Sequence, residues 1–499
     1  MNAASFSTPH GWWLQLIALA GLFALLARPH PRPVARSALL GFMFGLAGFC
    51  AGIGWLYISM HRYGGLAAPL ATAAVFLLSA YLALFGAAAL ALAERLAPAA
   101  HTGRAAGLAR IAALAACWMI GELARGWVFT GFPWLSLGYA QVDGPLATIA
   151  AGIGVYGLGG AVVALAATLA TLLRWRSHGA AAVLPVAGLA GAVVASLVAL
   201  GGAAPIQATG PAVAVRLLQG NVEQGMKFDP QRALRAMNDY TDDVLAGDAL
   251  LTVLPETAWT TTWSSTPPAI VDRLFAHLAR TGGFVAVGLP EPAADPAGGA
   301  AGMLSNSVVV RGPRGTLVGR YDKRQLVPFG EFIPPAFGWF VRMMNIPLGE
   351  FARGAPGQPP VLVGDQAFAF DICYEDLFPG LLRQQVRDGA SVLVNISNIA
   401  WFGDSHALGQ HLNISRLRAI ELGRPMLRAT NTGMTAAIDA SGRVLAALEP
   451  VSRGALDVEV RGTTGMTPYV RFGHWPVMSV ALVFLLALAL RRRHEARRS

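Results

Sequence analysis

Long apolar runs dominate the first 200 residues, near 12–27, 37–58, 66–93, 107–124, 145–173 and 180–202, and a last one lies at 474–490. As helices they match the ~30 Å thickness of a hydrocarbon core, so seven spans are predicted. From about residue 213 the pattern changes to short β-branched runs separated by polar stretches of helical period, which is how an α/β domain reads. Predicted strands are 213–220, 249–254, 284–289, 306–311, 316–321, 367–373, 391–396, 426–430 and 434–439, and predicted helices are 230–246, 267–281 and 406–422. Turns at Gly312-Pro-Arg-Gly315 and Ala440-Ser-Gly442 join neighbouring strands as hairpins. Hairpins and strand–helix alternation together predict a mixed sheet. The expected organisation is a helix bundle over 1–205, an α/β domain over 213–462, and a terminal helix with a basic tail over 472–499.

Composition agrees with the runs: 54% of the 499 residues are hydrophobic and 13% charged, against about one quarter charged in soluble domains. The first run lacks a preceding basic segment and a small-residue cleavage site before Arg28, so it reads as a retained helix rather than a cleaved signal. Arginines collect at 28, 32 and 36, at 95, 104 and 110, at 174 and 176, and at 491, 492, 493, 497 and 498. If the spans alternate, all four clusters fall on one side, the positive-inside pattern, and the α/β domain falls on the other. The net charge of +10 is therefore read as topology and anionic-lipid contact, not as a nucleic-acid surface. Of three cysteines, Cys50 and Cys117 lie in apolar runs, leaving Cys373 without an intrachain partner in its domain.

Three polar patches stand at predicted strand ends: Leu254-Pro-Glu-Thr-Ala-Trp259, Tyr321-Asp-Lys-Arg324 and Asp371-Ile-Cys-Tyr-Glu-Asp376. Sites in α/β sheets gather at the carboxyl ends of strands, so the three patches can converge. A thiol nucleophile needs a base for its proton and a cation for the developing oxyanion. Glu256 suits the first role and Lys323 the second. The ammonium is expected to lower the Cys373 pKa, and burial to raise that of Glu256. Singly, a cysteine in a β run is usually core packing and a strand-end Glu or Lys a solvated charge.

Resemblance changes that balance. Tyr321-Asp-Lys-Arg-Gln-Leu-Val-Pro-Phe-Gly-Glu331-Phe-Ile-Pro resembles the lysine motif of apolipoprotein N-acyltransferases, membrane members of the nitrilase (carbon-nitrogen hydrolase) superfamily. Leu254 to Trp259, Ile372-Cys-Tyr-Glu375, Ile396 to Asp404, Arg416 to Pro425, Gln219-Gly-Asn221 and Gly131 to Tyr139 resemble the same family, in order along nearly the whole chain. The resemblance implies an α/β fold, a nitrilase-like αββα sandwich, on an all-α transmembrane helix bundle. It implies Glu256 as general base, Lys323 as stabiliser of the tetrahedral intermediate and Cys373 as nucleophile. Glu331, Glu375, Tyr374 and Asn306 would support them, and Trp259, Phe228, Trp401 and Phe402 would contact substrate. The implied reaction takes an acyl chain from a phospholipid as a Cys373 thioester and passes it to the N-terminal amine of a diacylglyceryl apolipoprotein. No metal or organic cofactor and no nucleic acid is implied. A monomer in a bacterial inner membrane, with its catalytic domain on the periplasmic side, is expected.

The chain departs from the family pattern in showing seven spans where eight are usual, Ile399 where an acidic residue precedes Ala-Trp-Phe-Gly, and Phe228 where tryptophan is common. Gly152-Ile-Gly-Val-Tyr-Gly157 fits a dinucleotide fingerprint by letter only, and helix packing explains it better. Glu122 and Arg125 read as a structural ion pair at the interface, and His406 and His411 as surface or packing residues. The absence of Gly-x-Ser-x-Gly argues against a serine hydrolase. Rival readings are a membrane-tethered amidase using the same three residues, a transporter with an appended domain, and a non-catalytic lipid binder.

Overall fold

The computed structural model describes residues 1–98, 103–175, Gly191, Ala195, Ala199, 205–223, 230–294, 302–334, Gly338 and 350–498. Two compact units emerge, one from 1–54, 72–204 and 467–499, the other from 55–71 and 205–466.

In the first unit the apolar runs become α1 (Trp12–Leu26), α2 (Pro33–Gly52), α3 (Ala68–Leu96), α4 (Arg104–Arg125) and α5 (Ile149–Trp175). Among the described residues, α2 to α5 and the C-terminal helix Trp475–Arg498 are the five helices long and apolar enough to cross a membrane, while α1 is shorter. The predicted span 180–202 lies almost wholly outside the described residues. Pro33 opens α2 at its first turn, where a missing N–H costs nothing. Gly154 interrupts α5 with φ of +72°, and a Cβ on Gly159 would come within 2.7 Å of Glu122 Oε2. Close approach and a left-handed break account for the glycines of this run.

Glu122 and Arg125, expected as an ion pair, each hold the same loop by hydrogen bonds instead. The Arg125 guanidinium donates to the carbonyls of Phe132 and Trp134, both at 2.6 Å, and to Ser136 Oγ at 3.0 Å. Glu122 accepts from the Leu137 amide at 2.9 Å and from Trp118 Nε1. Irregular backbone needs such partners where water is scarce, and both side chains serve the Gly131 to Tyr139 segment.

The second unit contains β1 (Val213–Gln219), α6 (Pro230–Leu245), β2 (Leu251–Val253), α7 (Pro268–Thr281), β3 (Phe284–Pro292), β4 (Leu304–Arg311) and β5 (Leu317–Asp322). It continues with β6 (Val361–Val363), β7 (Gln366–Ile372), α8 (Pro379–Arg387), β8 (Val392–Ser397), α9 (Ala407–Leu422), β9 (Met426–Thr430), β10 (Ala436–Ile438), β11 (Val444–Ala447) and β12 (Gly454–Val460). Two six-stranded sheets result, ordered β12-β1-β2-β3-β4-β5 and β11-β10-β9-β8-β7-β6. Each has three parallel strands, β1-β2-β3 or β7-β8-β9, flanked by antiparallel ones, so both are mixed.

Period-two alternation decides which face packs where. Val215, Leu217, Val253, Ala286 and Val308 of one sheet meet Phe368, Phe370, Ile372, Val394 and Leu427 of the other in one core. The neighbours Leu218, Val285, Val287 and Val309 turn outward instead, against Met237, Tyr240 and Val244 of α6 and Ile270, Leu274 and Leu278 of α7. These helical positions recur every three or four residues, as one buried stripe requires. With α8 and α9 against the second sheet, the layers run α, β, β, α. The short strands β6 and β11, the seven-residue β12 and the helix α8 are absent from the sequence-based assignment.

The apolar run predicted over 37–58 ends as helix at Gly52, and Trp55 to Ala71 fold with the second unit. Trp55 Nε1 donates to Gln410 Oε1 at 3.1 Å, and its ring lies 4.3 Å from that of Phe402. Tyr63 meets Trp401 edge-on at 5.7 Å, and Leu66 and Ala71 pack with Tyr57, Met60 and Phe329.

Candidate active site

Each predicted catalytic residue leaves a strand at its C-terminal end. Glu256 follows β2 by three residues, and Lys323 and Cys373 directly follow β5 and β7. The sheets are stacked, so the two patches of the first sheet meet the one of the second. Lys323 is 1% exposed, and its Nζ donates to Glu256 Oε1 at 3.0 Å and to Glu331 Oε1 at 2.9 Å. Asn306 Nδ2 bridges the same two oxygens at 2.7 and 2.8 Å. Glu256 Oε2 accepts from the Asn398 amide at 2.8 Å, and Glu331 Oε2 from the Val327 amide at 2.8 Å. An ammonium offers three N–H bonds, and the two carboxylates account for two of them.

Cys373 has φ of +54°, a left-handed conformation costing a non-glycine residue about 1 kcal/mol or more. The surroundings enforce it. Glu375, fully buried, accepts from the Ile372 amide at 2.8 Å and from the Arg324 and Gln325 amides at 2.7 and 3.0 Å, and from the Tyr321 hydroxyl. One carboxylate thus ties the cysteine turn to the lysine loop. Beneath the turn, Asn395 Nδ2 and His411 Nε2 lie 3.1 and 3.2 Å from the Cys373 carbonyl oxygen.

The electrostatics differ from the sequence expectation at two groups. Burial pushes Glu256 up, but the Lys323 ammonium and the hydrogen bonds from Lys323, Asn306 and Asn398 outweigh it, leaving the carboxyl below its ordinary range. For Cys373, burial and the Glu256 charge push the thiol well up, and Lys323 only partly offsets them. Burial is the largest cause, and the Lys323 ammonium is itself shared with the Glu256 and Glu331 carboxylates. Lys323 itself is held protonated: desolvation opposes its charge, and Glu256 and Glu331 overcome it. Burial raises Glu375 to about 7 against the backbone N–H groups that favour its anion. The resting site therefore pairs an ionised Glu256 with a neutral thiol. Among the described residues no group of three or more His, Cys, Asp or Glu is placed to hold a metal ion.

The family model of the apolipoprotein N-acyltransferase N-terminal domain matches residues 1–168, and that of carbon-nitrogen hydrolase matches 213–469. An apolipoprotein N-acyltransferase of Ralstonia nicotianae is 46% identical, over 99% of this chain and 92% of its own length. The chain belongs to the apolipoprotein N-acyltransferase family. That of Bordetella bronchiseptica is 43% identical over 96% of this chain and 92% of its own. A solved carbon-nitrogen hydrolase from Helicobacter pylori G27 is 19% identical with a TM-score of 0.37, over 50% of this chain and 88% of that one. The αββα sandwich is the carbon-nitrogen hydrolase part of this family member, and the apolar helices make it a bacterial membrane protein.

The remaining predicted site residues of this family member are distributed unevenly. Tyr374 is buried, its ring 5.1 Å from that of Phe378. Trp401 and Phe402 are half-buried against Tyr63 and Trp55. Trp259 is 1% exposed and stacks on Trp263 within the helix-side core, so it supports the Glu256 turn from behind. Phe228 lies outside the described residues. Ile399, in the place of an acidic residue, is buried where a Cβ on Gly433 would come within 2.6 Å of its Cδ1. Sequence reasoning placed Asp376 in the polar patch around Cys373 without giving it a role, overlooked Asn395, Ser415 and Arg428, and set His411 aside as a surface or packing residue. The signal for the last four was polar residues inside apolar strands and on α9, which a single sequence does not separate from surface positions.

Proposed function

We propose that this chain moves an acyl chain from a phospholipid, through a thioester on Cys373, to the N-terminal amine of the diacylglyceryl cysteine of apolipoproteins. The observation that carries the reading is Lys323 locked between Glu256 and Glu331 beside a cysteine held in a left-handed turn. Sγ attacks the ester carbonyl while its proton passes to Glu256, which is ionised and ready to accept it. The remaining Lys323 N–H stabilises the tetrahedral oxyanion. Collapse expels the lysophospholipid oxygen, which takes the proton from Glu256. The acceptor amine then attacks the thioester, its proton moves to Glu256, and the departing sulfur recovers a proton as the amide forms. Because the thiol rests neutral, deprotonation belongs to the attack and no standing thiolate precedes it.

Glu331 anchors Lys323, Asn306 spaces the two carboxylates, Glu375 joins the two loops, and Tyr374, Trp401 and Phe402 line the acyl path. The arginine pattern supports an inner-membrane protein with its catalytic domain on the periplasmic side. The test is intact mass spectrometry of the purified protein incubated with phospholipid and then with a diacylglyceryl-cysteine peptide, beside Cys373→Ala. An acyl adduct on Cys373 that passes to the peptide amine is expected. An adduct released only to water would replace transfer with hydrolysis, and no adduct in an active protein would end the covalent reading.

A further inference from the structure

A closed polar cluster lies under the cysteine turn, and its geometry converges on one backbone atom. His411 on α9, Arg428 on β9, Ser415 on α9, Asn395 on β8 and Asp376 in the turn itself are each at most 1% exposed. Arg428 Nη2 lies 3.1 Å from His411 Nδ1. A guanidinium has only donors, so Nδ1 must accept and the imidazole proton sits on Nε2. That N–H is shared between the Cys373 carbonyl oxygen at 3.2 Å and Asp376 Oδ1 at 3.1 Å. Asp376 Oδ2 is held by Ser415 Oγ at 2.6 Å and Arg428 Nη1 at 3.3 Å, and Arg428 Nη1 also meets Ser415 Oγ. Asn395 Nδ2 supplies a second donor to the same carbonyl at 3.1 Å while reaching Asp371 Oδ2 at 3.2 Å.

We infer that His411 and Asn395 are positioning residues for acyl transfer: they pin the Cys373 carbonyl so that the Cys373–Tyr374 peptide keeps the one orientation that serves the reaction. This inference rests on the thioester reading above. A trans peptide is planar with its N–H opposite its C=O. Holding the carbonyl toward α9 and β8 therefore aims the Tyr374 N–H away from the cluster, on the side where the oxyanion of an ester bound to Sγ would form. Two donors on the carbonyl also polarise the peptide, which makes its N–H a stronger donor. Cys373 also holds a positive φ, and a left-handed turn without its anchors relaxes to a cheaper conformation. Asp376, Arg428 and Ser415 act one step further out by fixing the tautomer and tilt of the imidazole.

The discriminating experiment compares two reactions of one thiol in the full-length protein in detergent. Acylation by phospholipid forms an oxyanion, whereas alkylation by iodoacetamide forms none. In His411→Ala, the rate of Cys373 acylation followed by mass spectrometry is expected to fall by about tenfold to a hundredfold, with alkylation within about twofold of the native rate. His411→Gln, which retains a side-chain N–H, is expected to recover part of the acylation. If His411→Ala unfolds, Asn395→Ala carries the same comparison. Acylation unchanged in a folded variant, or acylation and alkylation falling together, would overturn the inference. A native protein that forms no acyl adduct would instead overturn the thioester reading.

Discussion

Replacing Lys323 by methionine removes the cation and leaves two buried carboxylates facing each other. Nζ lies 3.0 Å from one oxygen of Glu256 and 2.9 Å from one of Glu331, so these oxygens are at most about 6 Å apart and repel by about 3 kcal/mol at an effective dielectric of about 20. That repulsion and the lost attraction of Lys323 both push the Glu256 carboxyl upward. On the proposed mechanism Glu256 works as its anion, so the ascending limb of the acylation rate should move from below the ordinary carboxylate range toward neutrality. At neutral pH, acylation should drop by at least about a hundredfold, because the base is part-protonated and the oxyanion has lost its partner. The assay is the rate of Cys373 acyl-adduct formation across pH in Lys323→Met and in Lys323→Met with Glu331→Gln. The double variant removes the repulsion, so its limb should return toward acid and its thermal midpoint rise, while the rate stays low. A Lys323→Met protein that acylates within about tenfold of native, or whose profile does not move, would refute both the charge balance and the assigned role.

Glu375 gives a second pH signature. Its folded pKa of about 7 stands above the ordinary 4.5, so the native state holds this proton more tightly than the unfolded chain. Its contribution to stability is fully present below 4.5 and lost as pH rises to about 7, about 3 kcal/mol in all. Thermal unfolding of the native protein should show this decline, and Glu375→Gln should lack it; equal slopes would refute the shift. In the first unit, Arg125→Ala leaves the Phe132 and Trp134 carbonyls and the Ser136 hydroxyl without this donor. The expected loss is about 3–5 kcal/mol, read as a lowered thermal midpoint in detergent. A midpoint within about one degree of native would refute the cost assigned to leaving these buried acceptors unpaired.

The sequence by itself determined the division of the chain and the chemistry available to it. Apolar runs long enough for a bilayer have no other low-energy environment, and period-two and period-three-to-four patterns commit segments locally to strand or helix. Most predicted strands of the sandwich therefore lie within a residue or two of their observed ends. The motif around Cys373, Lys323 and Glu256 was legible through its resemblance to a family's motifs, because singly each residue reads as core packing or a solvated strand-end charge. Only the tertiary structure decided what those groups are worth. Proton affinities depend on burial and on every charge nearby, and Glu331, Asn306 and the Asn398 amide come from separate elements, so the depressed Glu256 and the raised Cys373 were invisible along the chain. The same holds for Trp259, whose ring turns into the core, and for Trp55 to Ala71, an apolar stretch that folds with the second unit. It holds most plainly for His411, which meets the Cys373 carbonyl across 38 residues of sequence. Such contacts exist only after the two sheets stack and α9 lies across the second, and no local pattern encodes them.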